Sequence, residues 1–262
     1  MSKNIRFLLT FILGFTAYYF FDFFFFKNIQ NFAKGIFHSK AAAHLTAYLV
    51  TLIPLILTLK IILPKRKISD LLSLDKPLIK GLAVAFIGTL PMLTGYLIHF
   101  KMAQKIDFES LFINTASSAF FEEIIFRAFL IGILYRFTRL GFLSAALLGS
   151  LLFAQVHLYQ SQNVAELTEI LAITFLGSLF FAWSYFESGY NLWTAIFLHF
   201  LMNLYWEIFT VSENVSGNLY GNLYKFSSIA VTVGILIYYK RKNKIPFEIT
   251  WKSLFIKSRE VQ

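Results

Sequence analysis

What most constrains this chain is the spacing of its apolar blocks. Eight stretches, roughly 7–26, 44–63, 81–100, 111–135, 141–158, 166–186, 191–210 and 226–239, approach the length of about 20 residues that a helix needs to cross a hydrocarbon core of about 30 Å. They lack the period-two alternation of a membrane-spanning strand barrel. The expected fold is therefore all-α: a polytopic membrane protein of about eight transmembrane helices, forming a single integral-membrane domain over residues 1–262. Composition agrees, because the chain is 57% hydrophobic and 15% charged. Soluble domains run at about 45–50% and about 25%, and this chain lacks the charge to cover a soluble surface. With no cysteine, disulfides, thiolate metal sites and a cysteine nucleophile are excluded.

The first block is too long for a secretory signal, and Phe23 to Phe26 lead into Lys27 rather than into a small-residue cleavage site. It reads as a retained first helix. With eight spans, the segments on the side of both termini carry sixteen Lys and Arg against six on the other side. Basic loops stay inside, which predicts cytoplasmic N- and C-termini in the cell inner membrane. The net charge of +10 is concentrated there. The tail cluster Lys240, Arg241, Lys242 and Lys244 suits the anionic headgroups of membrane lipids, so a nucleic-acid partner is not expected.

Ionisable groups inside apolar spans cost about 2.5–3.5 kcal/mol each on insertion scales, so they are the informative residues. Three clusters stand out. In the fourth span Glu122 and Glu123 precede Arg127. Glu123 and Arg127 are four apart and about 40° apart around a helix, so they can pair; Glu122 lies about 140° from Arg127 and is left uncompensated, as suits a general base. In the fifth span Phe153 and His157 are four apart, and in the seventh so are His199 and Asn203. Singly, these read as helix packing or hydrogen bonding between helices. Together, Glu122, Glu123, His157, His199 and Asn203 can line one water-holding cavity. There Glu122 with His157 can take a proton from water, and His199 with Asn203 can donate to the developing oxyanion of a peptide carbonyl.

The same clusters, Glu122-Glu123…Arg127, Phe153…His157 and His199…Asn203, resemble in type and order the motif set of the CPBP family. These are the CaaX-protease and bacteriocin-processing membrane proteins, also called the Abi family. The resemblance covers a core of about 111–210. It implies an eight-helix intramembrane endopeptidase acting on a membrane-anchored peptide or protein substrate. Glu122 and His157 would activate water, His199 and Asn203 would form the oxyanion site, and Glu123 and Arg127 would support the geometry. The family is described both as glutamic-type and as metalloprotease. No cofactor is favoured here, and zinc at Glu122, His157 and His199 is the alternative, since no His-Glu-x-x-His segment occurs.

Other readings fit less well. There is no Gly-x-Ser-x-Gly segment, and Asp22, expected at the outer end of the first helix, is the lone Asp within a span. Lys60 is expected to snorkel. Glu169, Glu187 and Glu207 are expected to be wetted near span ends. His99 is expected at the interface, and His38 and His44 in or beside a loop. A proton- or ion-coupled transporter and a non-catalytic membrane immunity protein are the alternative functions.

Overall fold

The first helix is longer than its apolar block. The computed structural model describes residues 3–257, and α1 (Lys3–Phe37) runs without a break through Lys27 and Lys34, where a loop was expected. No proline interrupts it. Its 35 residues correspond to about 52 Å, well beyond one hydrocarbon core. The chain turns at His38, which has φ +52°, and Ser39 caps the next helix by accepting a hydrogen bond from the Ala42 N–H. The expected loop over 27–43 thus shrinks to two residues. Asp22 consequently stands mid-helix rather than at its outer end.

The second block folds as α2 (Lys40–Thr51) and α3 (Ile53–Ile62), divided at Leu52 because Pro54 fits only the first turn of a new helix. His44 lies inside α2, buried, with Nδ1 3.0 Å from Ser117 Oγ, rather than beside a loop. After the short α4 (Ile68–Leu71) comes α5 (Leu78–His99), which packs on the last two long helices through small residues. A Cβ on Gly88 would stand 2.1 Å from Thr232 Oγ1, and one on Gly95 would stand 2.2 Å from the Tyr224 ring. One helical run, α6 (108–137), follows and changes register twice, with π-helical stretches at Ile113–Ser117 and Glu123–Ile133. Every residue from Glu123 to Ile133 is buried. α7 (Phe142–Gln155), α8 (Val164–Glu187), α9 (Leu192–Ile208) and α10 (Leu219–Lys242) complete the bundle around it.

The molecule is 78% helical, and no strand forms among the described residues, as expected of an all-α chain. Among the described residues, five helical segments are long and apolar enough to cross a membrane: Asn4–Phe37, Lys40–Ile62, Leu78–His99, Phe142–Gln160 and Val164–Glu187. The expected fourth, seventh and eighth spans fall outside this set, for physical reasons. α6 carries Glu122, Glu123 and Arg127 within a buried stretch, α9 has only 17 residues, and α10 contains Asn222, Lys225 and a basic end. Phe20, Phe23 and Phe24 of α1 are exposed, as an apolar solvent requires.

The tail closes one end of the bundle. Gly141 and Leu143 donate backbone N–H bonds to Phe255 and Leu254 carbonyls at 2.7 and 2.8 Å, and a Cβ on Gly141 would meet Phe255 at 2.5 Å. Glu187 is buried there instead of wetted. It pairs with Lys240 and accepts the N–H groups of Glu248 at 3.2 Å and Ile249 at 2.8 Å. Lys240 is accordingly taken out of the expected headgroup-facing cluster. Glu169, Glu207 and Lys60 are exposed.

Candidate active site

The site begins where the α6 register changes. Glu122 ends an α-helical turn and Glu123 opens the longer π-helical stretch, and the two adjacent carboxylates leave the helix on different sides, as neighbours on a helix do. Glu123 points into the protein, fully buried, with Oε1 3.0 Å from Arg127 Nη1 and 2.8 Å from His199 Nδ1. The four-residue spacing of Glu123 and Arg127 thus makes the pair it promised. The pair is a close charge contact only, because the Arg127 N–H groups are not aligned on the oxygen and make no hydrogen bond. Aromatic rings hold the guanidinium instead. Its carbon lies 4.0 Å from the centroid of Phe153 and 5.3 Å from that of Phe181.

Glu122 turns the other way and keeps 17% of its side chain accessible. Its Oε2 lies 3.9 Å from His199 Nε2 and has no hydrogen-bond partner among the described residues. His199 therefore stands between two carboxylates, bonded to the inner and facing the outer one. Because Nδ1 serves Glu123, Nε2 is the nitrogen presented to Glu122. Phe181 stacks on the same imidazole, with centroids 5.1 Å apart and planes at 17°.

His157 comes from the turn just after α7. Its Nδ1–H donates to the Phe153 carbonyl at 2.7 Å, which leaves Nε2 with the lone pair of a neutral imidazole. Phe153 therefore supplies both that carbonyl and the ring over Arg127, more than the packing role its spacing suggested. On α9, one turn beyond His199, Asn203 Nδ2 donates to the Asn114 carbonyl at 3.0 Å. A second N–H of that amide stays uncommitted.

Glu122, His157, His199 and Asn203 line one cavity of about 760 Å³. Glu123 and Arg127 do not reach it; they lie behind His199 as its support. The segment 209–218 forms part of the cavity wall and is tied down by Val215 N–H donating to Gln160 Oε1 at 3.0 Å. Sequence reasoning missed Phe181, one of 32 phenylalanines, and Asn114, whose contribution is a backbone carbonyl. No residue-type signal could have singled out either. Among the described residues no three His, Asp or Glu side chains are grouped so as to hold a metal ion, and no step below is routed through one.

Residues 106–205 match a family model described as type II CAAX prenyl endopeptidase, Rce1-like. No curated protein and no solved structure matches the chain. The matched segment contains all three motifs, so the CPBP resemblance holds over 106–205. It supports a CAAX-protease-like intramembrane endopeptidase, and together with the apolar helices it makes this an integral membrane protein.

Proposed function

We propose that the protein hydrolyses a peptide bond of a membrane-associated substrate with water activated by Glu122 and His157. The observation that carries this reading is the shared cavity, which Glu122 lines with a partly accessible carboxylate whose buried Oε2 has no hydrogen-bond partner. A buried acceptor left free costs about 1–3 kcal/mol, more for a charged group, and a site that binds and polarises water gives that cost a purpose. The uncommitted His157 Nε2 is a second proton acceptor on the same cavity. Water held between them would lose a proton and attack the scissile carbonyl, and the acid so formed would return the proton to the leaving amine.

Charge then develops on the carbonyl oxygen. Asn203 offers an N–H, and His199, held through Nδ1 by the Glu123 carboxylate at 2.8 Å, turns Nε2 to the same side as the second group of the oxyanion site. Arg127 in turn keeps Glu123 from being a lone buried anion. The substrate is a membrane-anchored peptide or protein, and surrounding membrane lipids supply its environment.

Purified protein in detergent or proteoliposomes, incubated with membrane-anchored peptides, tests this by mass spectrometry. Glu122→Gln is expected to remove cleavage, and undiminished cleavage by that variant would end the proposal. Because no zinc step is invoked, prolonged treatment with a strong chelator is expected to leave turnover unchanged. Loss of activity that added zinc restores would replace the water-activation scheme with a metal-based one.

A further inference from the structure

The helix ends gather at two faces, and the cavity opens at only one of them. At the first face Arg136 donates to the Asp70 and Leu71 carbonyls at 3.2 and 2.9 Å. Beside it Trp193 Nε1 donates to the Leu74 carbonyl at 3.1 Å and Asn191 Nδ2 to the Pro77 carbonyl at 3.0 Å. The docked tail and the Glu187–Lys240 pair lie there too. At the second face the Ala103 N–H donates to the Ile208 carbonyl at 2.8 Å, the Lys40 N–H to Glu109 Oε2 at 3.1 Å and the Val215 N–H to Gln160 Oε1 at 3.0 Å. Successive connections along the chain thus alternate between the faces. The exposed residues Tyr159, Glu207 and Glu213 line the cavity where it meets the second face. None of the first-face contacts named above contributes a lining residue. Charge divides along the same line. The segments of the first face carry sixteen Lys and Arg and those of the second carry six. One of those six, Lys225, is buried with its ammonium on the Val215 carbonyl at 2.8 Å. The stretches 156–163 and 209–218, which frame the mouth, contain neither Lys nor Arg.

We infer that the cavity opens on the extracytoplasmic side of the membrane, and that its occupant is a membrane-anchored polypeptide whose scissile bond has already been carried across. The sidedness stands on the cavity and the charges alone; that the occupant is a polypeptide rests on the peptidase reading of the same cavity. Lys- and Arg-rich connections are retained in the cytoplasm, which places the first face inside and the mouth outside. Water then reaches Glu122 from outside the cell. A tail anchored on the cytoplasmic side meets the face that holds no part of the mouth. To reach Glu122 it would have to pass about 30 Å of hydrocarbon, where an extended backbone leaves its N–H and C=O groups without partners. The substrates are therefore exported chains, or the outer flanks of transmembrane segments, and lipid-anchored cytoplasmic tails are excluded.

The chain has no cysteine, so single introduced cysteines report without background. Glu213→Cys and Gln104→Cys mark the second face, and Ser69→Cys and Asn243→Cys the first; all four positions are exposed, and none of the changes alters the number of Lys and Arg. The full chain is produced in the cytoplasmic membrane of bacteria, and spheroplasts are treated with a membrane-impermeant maleimide before and after permeabilisation. The second-face cysteines are expected to label before permeabilisation and the first-face cysteines only after it. The reverse pattern, or labelling of both faces before permeabilisation, overturns the inference. So does a face whose two cysteines stay unlabelled after permeabilisation, since that face does not meet water. Proteoliposomes of mixed orientation then locate the mouth. An acylated peptide is added outside, and its cleavage is read before and after a bulky impermeant maleimide is attached to the same variant. Attachment at Glu213→Cys is expected to abolish cleavage, and attachment at Ser69→Cys to leave it unchanged. Loss of cleavage through Ser69→Cys, or through neither position, shows that the mouth lies elsewhere and overturns the inference. If the labelling in spheroplasts is as expected and the unlabelled protein cuts no peptide, the peptidase reading fails while the sidedness stands.

Discussion

The Glu187–Lys240 pair at the tail end of the bundle and the Glu123–Arg127 pair at its centre are both buried, yet their surroundings are opposite in kind. Glu187 has its ammonium partner and two backbone N–H donors, so its oxygens are engaged on both sides. Glu123 has one oxygen shared between Arg127 and His199 and the other without a hydrogen bond, and beside it Glu122 Oε2 is free as well. The first arrangement does what a folding contact must: it satisfies itself. The second leaves polar capacity unspent next to a cavity, which folding alone does not reward. Satisfaction, more than burial, separates structure from chemistry in this molecule.

Crossed measurements on the two regions put that difference at risk. Glu122→Gln is expected to reduce turnover by about 10²–10⁴-fold, the usual worth of a general base, while its thermal midpoint in detergent stays level or rises, since an unsatisfied anion has been neutralised. Glu187→Ala should do the reverse. It strands Lys240 and costs about 3–5 kcal/mol, or roughly 6–20 °C in midpoint for a chain of this size, with turnover per folded molecule retained. If Glu122→Gln unfolds the protein as readily as Glu187→Ala does, the contrast between the two carboxylates has been misread.

The central region was open to sequence reasoning because its chemistry is local. Glu123 and Arg127 are one turn apart, as are Phe153 and His157, and His199 and Asn203, so each contact or shared face followed from spacing. The all-α class was equally plain, since apolar blocks of membrane-crossing length leave few other folds. The tail-end pair was not readable. Lys240 lies 53 residues from Glu187, and the N–H groups of Glu248 and Ile249 carry no side-chain signature. Lys225 escaped for the same reason, as its burial depends on where the chain around Val215 folds back. The extension of α1 through Lys27 and Lys34 shows a further limit. Apolar content reports which residues suit lipid, whereas a helix continues wherever nothing stops it. Nor does composition encode the π-helical stretch of α6, every residue of which is buried.

The smallest effect expected is also the sharpest probe of how the central charge is held. Phe153 places its ring 4.0 Å from the guanidinium carbon of Arg127 and its carbonyl 2.7 Å from His157 Nδ1. Phe153→Leu keeps the carbonyl and most of the volume but removes the aromatic face, a loss of about 0.5–2 kcal/mol for a cation over a ring. If the ring serves only to fill space, that cost appears in the thermal midpoint and leaves turnover alone. If instead it helps hold Arg127, and through Glu123 the imidazole of His199, kcat should fall about threefold to thirtyfold with KM little changed. A double-mutant cycle with Arg127→Met decides between the two. In Arg127→Met the guanidinium is gone, so Phe153→Leu should have no further effect on kcat; additive losses would show that Phe153 acts on the site by some route other than the charge beneath its ring.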